Sequence, residues 1–155
     1  MHNEVKYESS SIPEIELLYN PPQGIALSPK ILDFESAYHF FIKKWDIKKL
    51  EFIEQFKVLL LNRAHRVLGI CTLSTGGLNS TIIDIRLLFA IALKSNASAM
   101  IIAHNHPSGE TIPSKSDIEV TKRIHEVGKI LGIPLLDHLI ISKQTFYSFK
   151  NEGII

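Results

Sequence analysis

The chain has 155 residues, 45% hydrophobic and 21% charged, which suits one folded domain and falls short of two. Seventeen Lys and Arg face sixteen Asp and Glu; residues 1–60 carry a net −2 and residues 61–155 a net +3, without the clustered positive charge of a nucleic-acid-coating surface. No segment approaches the roughly 20 apolar residues that cross a bilayer, the start with Glu4 and Glu8 does not read as a signal peptide, and the single cysteine, Cys71, excludes an intrachain disulfide and points to a cytoplasmic setting.

In chain order, Ile12 to Tyr19 predicts a short strand, broken by Asn20-Pro21-Pro22-Gln23-Gly24. Asp33 is placed to cap a helix whose apolar stripe runs through Ala37, Phe40 and Phe41 to Lys44. Lys43, Lys44, Lys48 and Lys49 around Trp45 form the one local cationic cluster; it could meet phosphates, but a solvated helix end and exit turn is the simpler reading. Phe56 to Leu61 predicts a central strand and Arg66 to Ser74 a second one paired with it across a tight turn holding His65. Cys71, in an apolar run, is expected as a small buried thiol. Gly76-Gly77 ends that strand, and Asn79 and Ser80 near the bend could border a substrate groove.

Asp84 is placed to cap a helix through Lys94. Ala97 to Ala103 predicts a buried strand that leads into His104-Asn105-His106-Pro107-Ser108-Gly109. After a loop rich in Pro, Ser and Gly, Pro113-Ser114 opens a helix with Ile118, Thr121, Ile124, His125 and Gly128 on its repeating face, ending at Gly132. Leu135 to Ile141 and Thr145 to Phe149 complete the pattern as paired strands. The expected fold class is α/β, a mixed central β-sheet flanked by helices.

His104 and His106 stand two apart at a strand end, so an extended backbone turns both imidazoles to one side and Asn105 to the other. Neutral imidazole is a good zinc ligand, and Asp117, on the first turn of the following helix, can supply a third. Three protein ligands would leave a fourth position for water, as in catalytic rather than structural zinc sites. The same residues also admit a plainer reading: His-x-His with one ring buried and one exposed, and Ser114 with Asp117 as a capping box.

His104-Asn105-His106-Pro107, six further residues, then Ser114-Lys115-Ser116-Asp117 resembles the motif of JAB/MPN-type (JAMM) metalloproteases. With Ser108-Gly109 after it and Asp137-His138-Leu139-Ile140 downstream, the chain looks like the RadC-like branch, conventionally called DNA repair protein RadC, over roughly residues 25 to 150. The resemblance implies the JAB/MPN (cytidine-deaminase-like) architecture, with residues 1–24 as an N-terminal extension and 25–155 as the metalloprotease domain with its N-terminal helix. It implies one zinc ion per chain on His104, His106 and Asp117, Glu54 as general base with Glu51 as its rival, and Ser114 assisting the oxyanion or orienting the water. The implied reaction is hydrolysis of a peptide or isopeptide amide, with a peptide or protein substrate.

The competing reading is a metal-binding module, associated with DNA repair or with protein interaction, that has little or no peptidase activity. About 50 residues precede the first core strand, without the paired hairpin signature of longer relatives, so a DNA partner rests on the family name alone. An HNH nuclease is disfavoured because three consecutive letters are not that motif. A zinc nucleobase deaminase needs cysteine ligands that one Cys71 cannot provide. His138 is expected to make a structural hydrogen bond, and His125, eight residues beyond Asp117, lies too far along the helix to join the ligands. A homodimer could form through the sheet edge and the N-terminal strand.

Overall fold

The computed structural model describes residues 24–76 and 83–155. Within them a short 3-10 turn, Ile25–Leu27, precedes helix α1 (Phe34–Lys44), the single turn α2 (Ile47–Leu50), strands β1 (Gln55–Leu61) and β2 (Val67–Thr75), helix α3 (Ile85–Lys94), strand β3 (Ala99–Asn105), helix α4 (Lys115–Leu131), and strands β4 (Leu135–Ile141) and β5 (Phe146–Ser148). The expected strand at Ile12 to Tyr19 and the bend at Asn79 and Ser80 lie outside the described residues.

The sheet order is β2-β1-β3-β4-β5. β1 runs antiparallel to both β2 and β3, β3 and β4 are parallel, and β4 and β5 are antiparallel. A parallel pair cannot be joined by a tight turn. α4 makes that crossover, and in doing so carries Asp117 back over the end of β3.

All seven residues of β1 and all seven of β3 are buried, because helices cover both faces of the sheet. Strand alternation sorts their side chains. Leu59, Leu61, Ile101 and Ala103 pack with Ala37, Tyr38, Phe41 and Trp45 of the α1 side. Phe56, Val58, Leu60, Met100 and Ile102 pack with Leu88, Phe89 and Ile124 of α3 and α4. His104 shares the parity of Met100 and Ile102 and therefore lies on the α3/α4 face.

The helix starts are set by side chains. Asp33 accepts from the Ser36 amide at 2.7 Å and Ser36 Oγ returns the bond to the Asp33 amide at 3.0 Å. Asp84 accepts from the Arg86 amide at 2.9 Å. α4 ends on Gly132 at φ 67°, where a left-handed residue lets the Ile133 amide reach the Gly128 carbonyl at 2.9 Å. Trp45 is buried while Lys43, Lys44, Lys48 and Lys49 are exposed, which is the solvated reading of that cluster. Cys71 differs from expectation: β2 is an edge strand, and its thiol is only partly buried. No helix among the described residues is long and apolar enough to cross a membrane.

Candidate metal centre

β3 extends two residues further than its apolar run predicts, so His104 lies inside the strand, 1% exposed, and His106 just past its end. The two Nε2 atoms are 3.0 Å apart. Asp117, at the third position of α4, brings Oδ1 to 3.4 Å from His104 Nε2 and Oδ2 to 3.6 Å from His106 Nε2. A tetrahedral zinc with bonds near 2.0–2.1 Å places neighbouring ligand atoms about 3.3 Å apart. The three side chains therefore converge on coordinating geometry, each offering one atom and all lying within 4.8 Å of one another.

Proton bookkeeping sharpens the fit. His106 Nδ1 lies 2.9 Å from the Glu110 carbonyl, which can only accept, so Nδ1 carries the proton and Nε2 presents a lone pair to the site. His104 Nδ1 lies 2.8 Å from His138 Nε2, directing its own Nε2 toward Asp117. With both rings neutral, two imidazole nitrogens and a carboxylate face one point with no polar hydrogen between them, an arrangement that suits a cation. Neutral imidazole and carboxylate make it a zinc-type donor set with a position to spare.

The titration tendencies follow from burial and mutual charge. Burial pushes His104 down to about 4, against the pull of Asp117, with His106 adding to the depression. His106, half-buried, is raised, first by its interaction with Asp117 and against its own desolvation. Burial of Asp117 favours its neutral form, but His106, His104 and two bonds from Ser114 outweigh it, and the carboxyl sits well below the usual range. Burial drives His138 well below an ordinary histidine.

Ser114 is the N-cap of α4 and also a partner of the ligand. Its amide and hydroxyl both donate to Asp117 Oδ2, at 2.7 and 2.6 Å, while its Oγ accepts from the Asp117 amide at 3.1 Å. The capping box weighed as a rival to the metal motif is thus built from the same two residues, and the readings coexist. One carboxylate oxygen anchors the helix start; the other faces His104.

Glu54 immediately precedes β1, whose Phe56 pairs with His104. It lines a cavity of about 490 Å³ together with Phe52, Ile53, Gly76, His106, Pro107 and Ser108. Glu51 is directed elsewhere, its carboxylate ion-paired with Lys143. His65, at φ 57° in the β1–β2 turn, and His125 on α4 are not among the clustered ligands.

Two contributors carried weak signals in the sequence. Asn105, fully buried between the two histidines, donates to the Leu50 and Ile53 carbonyls and accepts from the Gln55 amide. A carboxamide inside an otherwise apolar strand requires such partners, but nothing local names them. Thr121 reads as part of the apolar face of α4; its hydroxyl instead donates to the Asp117 carbonyl and meets His138 Nδ1 at 2.6 Å. His138 makes the hydrogen bonds expected of a structural histidine, with partners that the sequence alone does not reveal.

A mixed sheet flanked by helices, with a His-x-His pair at a strand end facing an aspartate at a helix start, defines a domain of JAB/MPN architecture whose side-chain cluster could hold a metal ion. A family model described as RadC-like JAB domain matches residues 31–154. The chain belongs to this RadC-like JAB domain family. Similar curated proteins include a UPF0758 protein of Flavobacterium johnsoniae, 48% identical over 101 residues, covering 65% of this chain and 44% of that protein. One of Alkaliphilus metalliredigens is 46% identical over 102 residues, covering 66% and 44%. One of Bacillus licheniformis is 48% identical over 102 residues, covering 66% and 46%. The chain thus spans less than half the length of the curated relatives it matches.

Proposed function

We propose that the chain hydrolyses a peptide or isopeptide amide at a single zinc ion held by His104, His106 and Asp117. The observation that carries this reading is the convergence of two Nε2 lone pairs and Asp117 Oδ1 beside a cavity lined by Glu54. Zinc, when bound, supplies Lewis acidity and a water acidified toward pH 7.

The remaining work falls to the chain's own groups. Glu54, outside the ligand set and on the cavity wall, takes the proton of the attacking water and returns it to the leaving nitrogen. Its place beside His106, with Glu51 engaged by Lys143, favours it as the base. Ser114 holds Asp117 in place, and its hydroxyl, which donates to Asp117 Oδ2, can assist the developing oxyanion only by exchanging that bond for one to the substrate. Exposed Phe52, at the cavity mouth, offers apolar surface to a polypeptide. On this reading residues 25–155 form the catalytic domain, acting in the cytoplasm on a protein or peptide.

The test compares zinc content and amide hydrolysis in the parent protein and Glu54→Gln. Zinc retained with turnover lost supports the assignment; equal turnover in the two removes Glu54 from the base role. Stoichiometric zinc with no hydrolysis by the parent would favour a metal-bearing interaction module instead.

A further inference from the structure

We infer that Thr121 and His138 are positioning residues that hold His104 in one tautomer, with its Nε2 lone pair directed into the metal centre. The inference rests on the metal-binding half of the proposed function and is independent of amide hydrolysis.

The polarity of the chain of bonds is set at its far end. Thr121 Oγ1 is in close contact with the Asp117 backbone carbonyl, one helical turn back, and a carbonyl oxygen has no proton to give. Two oxygens that close must have a hydrogen between them, so the threonine hydroxyl is the donor and its single proton is committed. The contact of 2.6 Å between Thr121 Oγ1 and His138 Nδ1 must then be an N–H donating to the hydroxyl oxygen. His138 is fully buried and its ring nitrogens meet only Thr121 and His104, so in the uncharged ring a proton at Nδ1 leaves Nε2 as an acceptor. His104 Nδ1, 2.8 Å away, can fill that acceptor only by carrying a hydrogen. Its remaining nitrogen, Nε2, is left bare and faces Asp117 Oδ1 and His106 Nε2.

The rings that transmit this polarity pack against aromatic neighbours. His138 stacks on Phe149 with centroids 4.5 Å apart and 13° between planes, and His104 stacks on Phe56 at 6.0 Å and 12°. The path also joins two ligands, because it starts on the backbone carbonyl of Asp117 and ends on the ring of His104. A valine at 121 has nearly the shape of threonine but neither gives nor accepts. In that variant the Nδ1–H of His138 loses its acceptor, and a switch of its proton to Nε2 would set two N–H groups against each other at His104.

Zinc affinity of the full chain, measured by competition with a chromophoric chelator, is the first readout. Thr121→Val is expected to weaken zinc binding by about 10–100-fold, the range for loss of an outer hydrogen-bond partner, while Thr121→Ser keeps affinity within a few-fold of the parent. The second readout needs no variant: nitrogen-15 spectra of the histidine rings in zinc-free parent protein should show Nδ1 protonated in both His104 and His138. Parent-like zinc affinity in folded Thr121→Val overturns the inference. So does a His138 ring protonated at Nε2, a result that remains decisive even if the valine variant does not fold.

Discussion

The side chain of Asn105 clasps the backbone on both sides of Glu54. Its Nδ2 donates to the Ile53 carbonyl at 3.0 Å, and its Oδ1 accepts from the Gln55 amide at 2.8 Å. A third bond, 2.7 Å to the Leu50 carbonyl, fastens the end of α2. The residue between the two histidine ligands is therefore the one that fixes the segment bearing the proposed base. Asn105→Ala would strand three backbone groups, two of them in buried bonds, and should cost about 3 kcal/mol in denaturant unfolding. At temperatures where the variant is folded, zinc content should remain while hydrolysis falls at least about tenfold, since the ligands stay and the Glu54 segment loosens. Full turnover in a folded Asn105→Ala protein would contradict this link.

Ser114→Ala removes a helix cap and the hydroxyl donor to Asp117 Oδ2. The expected loss is about 1 kcal/mol of stability from the cap and roughly tenfold in zinc affinity from the freed carboxylate. Ser114→Thr should restore both. Calorimetric titration with zinc and thermal unfolding of the metal-free variants separate the two effects.

Acidification should destabilise the metal-free protein between about pH 6.5 and pH 4. His104 falls to about 4 on folding, so in this window the unfolded chain binds a proton that the folded one refuses, and stability drops as pH drops. A shift from 6.5 to about 4 corresponds to roughly 3 kcal/mol. His138 acts in the same direction. His106, raised by Asp117, works in the opposite sense: its contribution is complete below 6.5 and is lost as pH rises through its folded value. Asp137, raised by burial, also gains on acidification. The large shifts are those of His104 and His138, so urea unfolding at pH 7 and pH 5 should show the lower midpoint at pH 5. A higher midpoint at pH 5 would contradict the buried, neutral assignment.

Glu51 and Glu54 should part company on mutation. The Glu51–Lys143 pair is half-exposed at its carboxylate, with side-chain exposures of 53% and 34%. Such pairs contribute about 0–1 kcal/mol. Glu51→Gln should leave zinc binding and hydrolysis near parental levels, whereas Glu54→Gln should abolish hydrolysis alone. A collapse of turnover in Glu51→Gln would reverse the assignment.

Gly128 marks where α4 meets the approach to β4. A Cβ there would sit 2.6 Å from the Ile133 carbonyl oxygen, a backbone atom that cannot swing aside. Gly128→Ala should cost about 1–3 kcal/mol in unfolding free energy through overpacking, despite the better helix propensity of alanine. A stabilised variant would show that the helix and strand can separate at no cost.

Much of this architecture can be read along the chain because its signals are local. The caps at Asp33, Asp84 and Ser114, the stop at Gly132 and the apolar runs of β1 and β3 each act within a few residues. The His-x-His spacing and the helix-start aspartate are local as well, and the parallel β3–β4 crossover explains why they meet. What the sequence hides is long-range pairing. Asn105 reaches back 50 residues to Gln55, and Thr121 meets His138 across 17. In neither case does the residue type declare its partner. Strand ends move for the same reason: β3 continues through Asn105 because Phe56 of β1 and Ile140 and Ile141 of β4 supply partners that an apolar run cannot announce.

Asp117 fastens one oxygen, the one nearer His106, to Ser114 and turns the other toward His104. The bonds to Ser114 tie this carboxylate to the start of α4 independently of any ion. Loading such a centre demands little ordering of the chain, and a chelator should strip the ion without melting α4. On the proposed zinc reading, the supply of metal would govern the chemistry of the domain and leave the start of α4 intact.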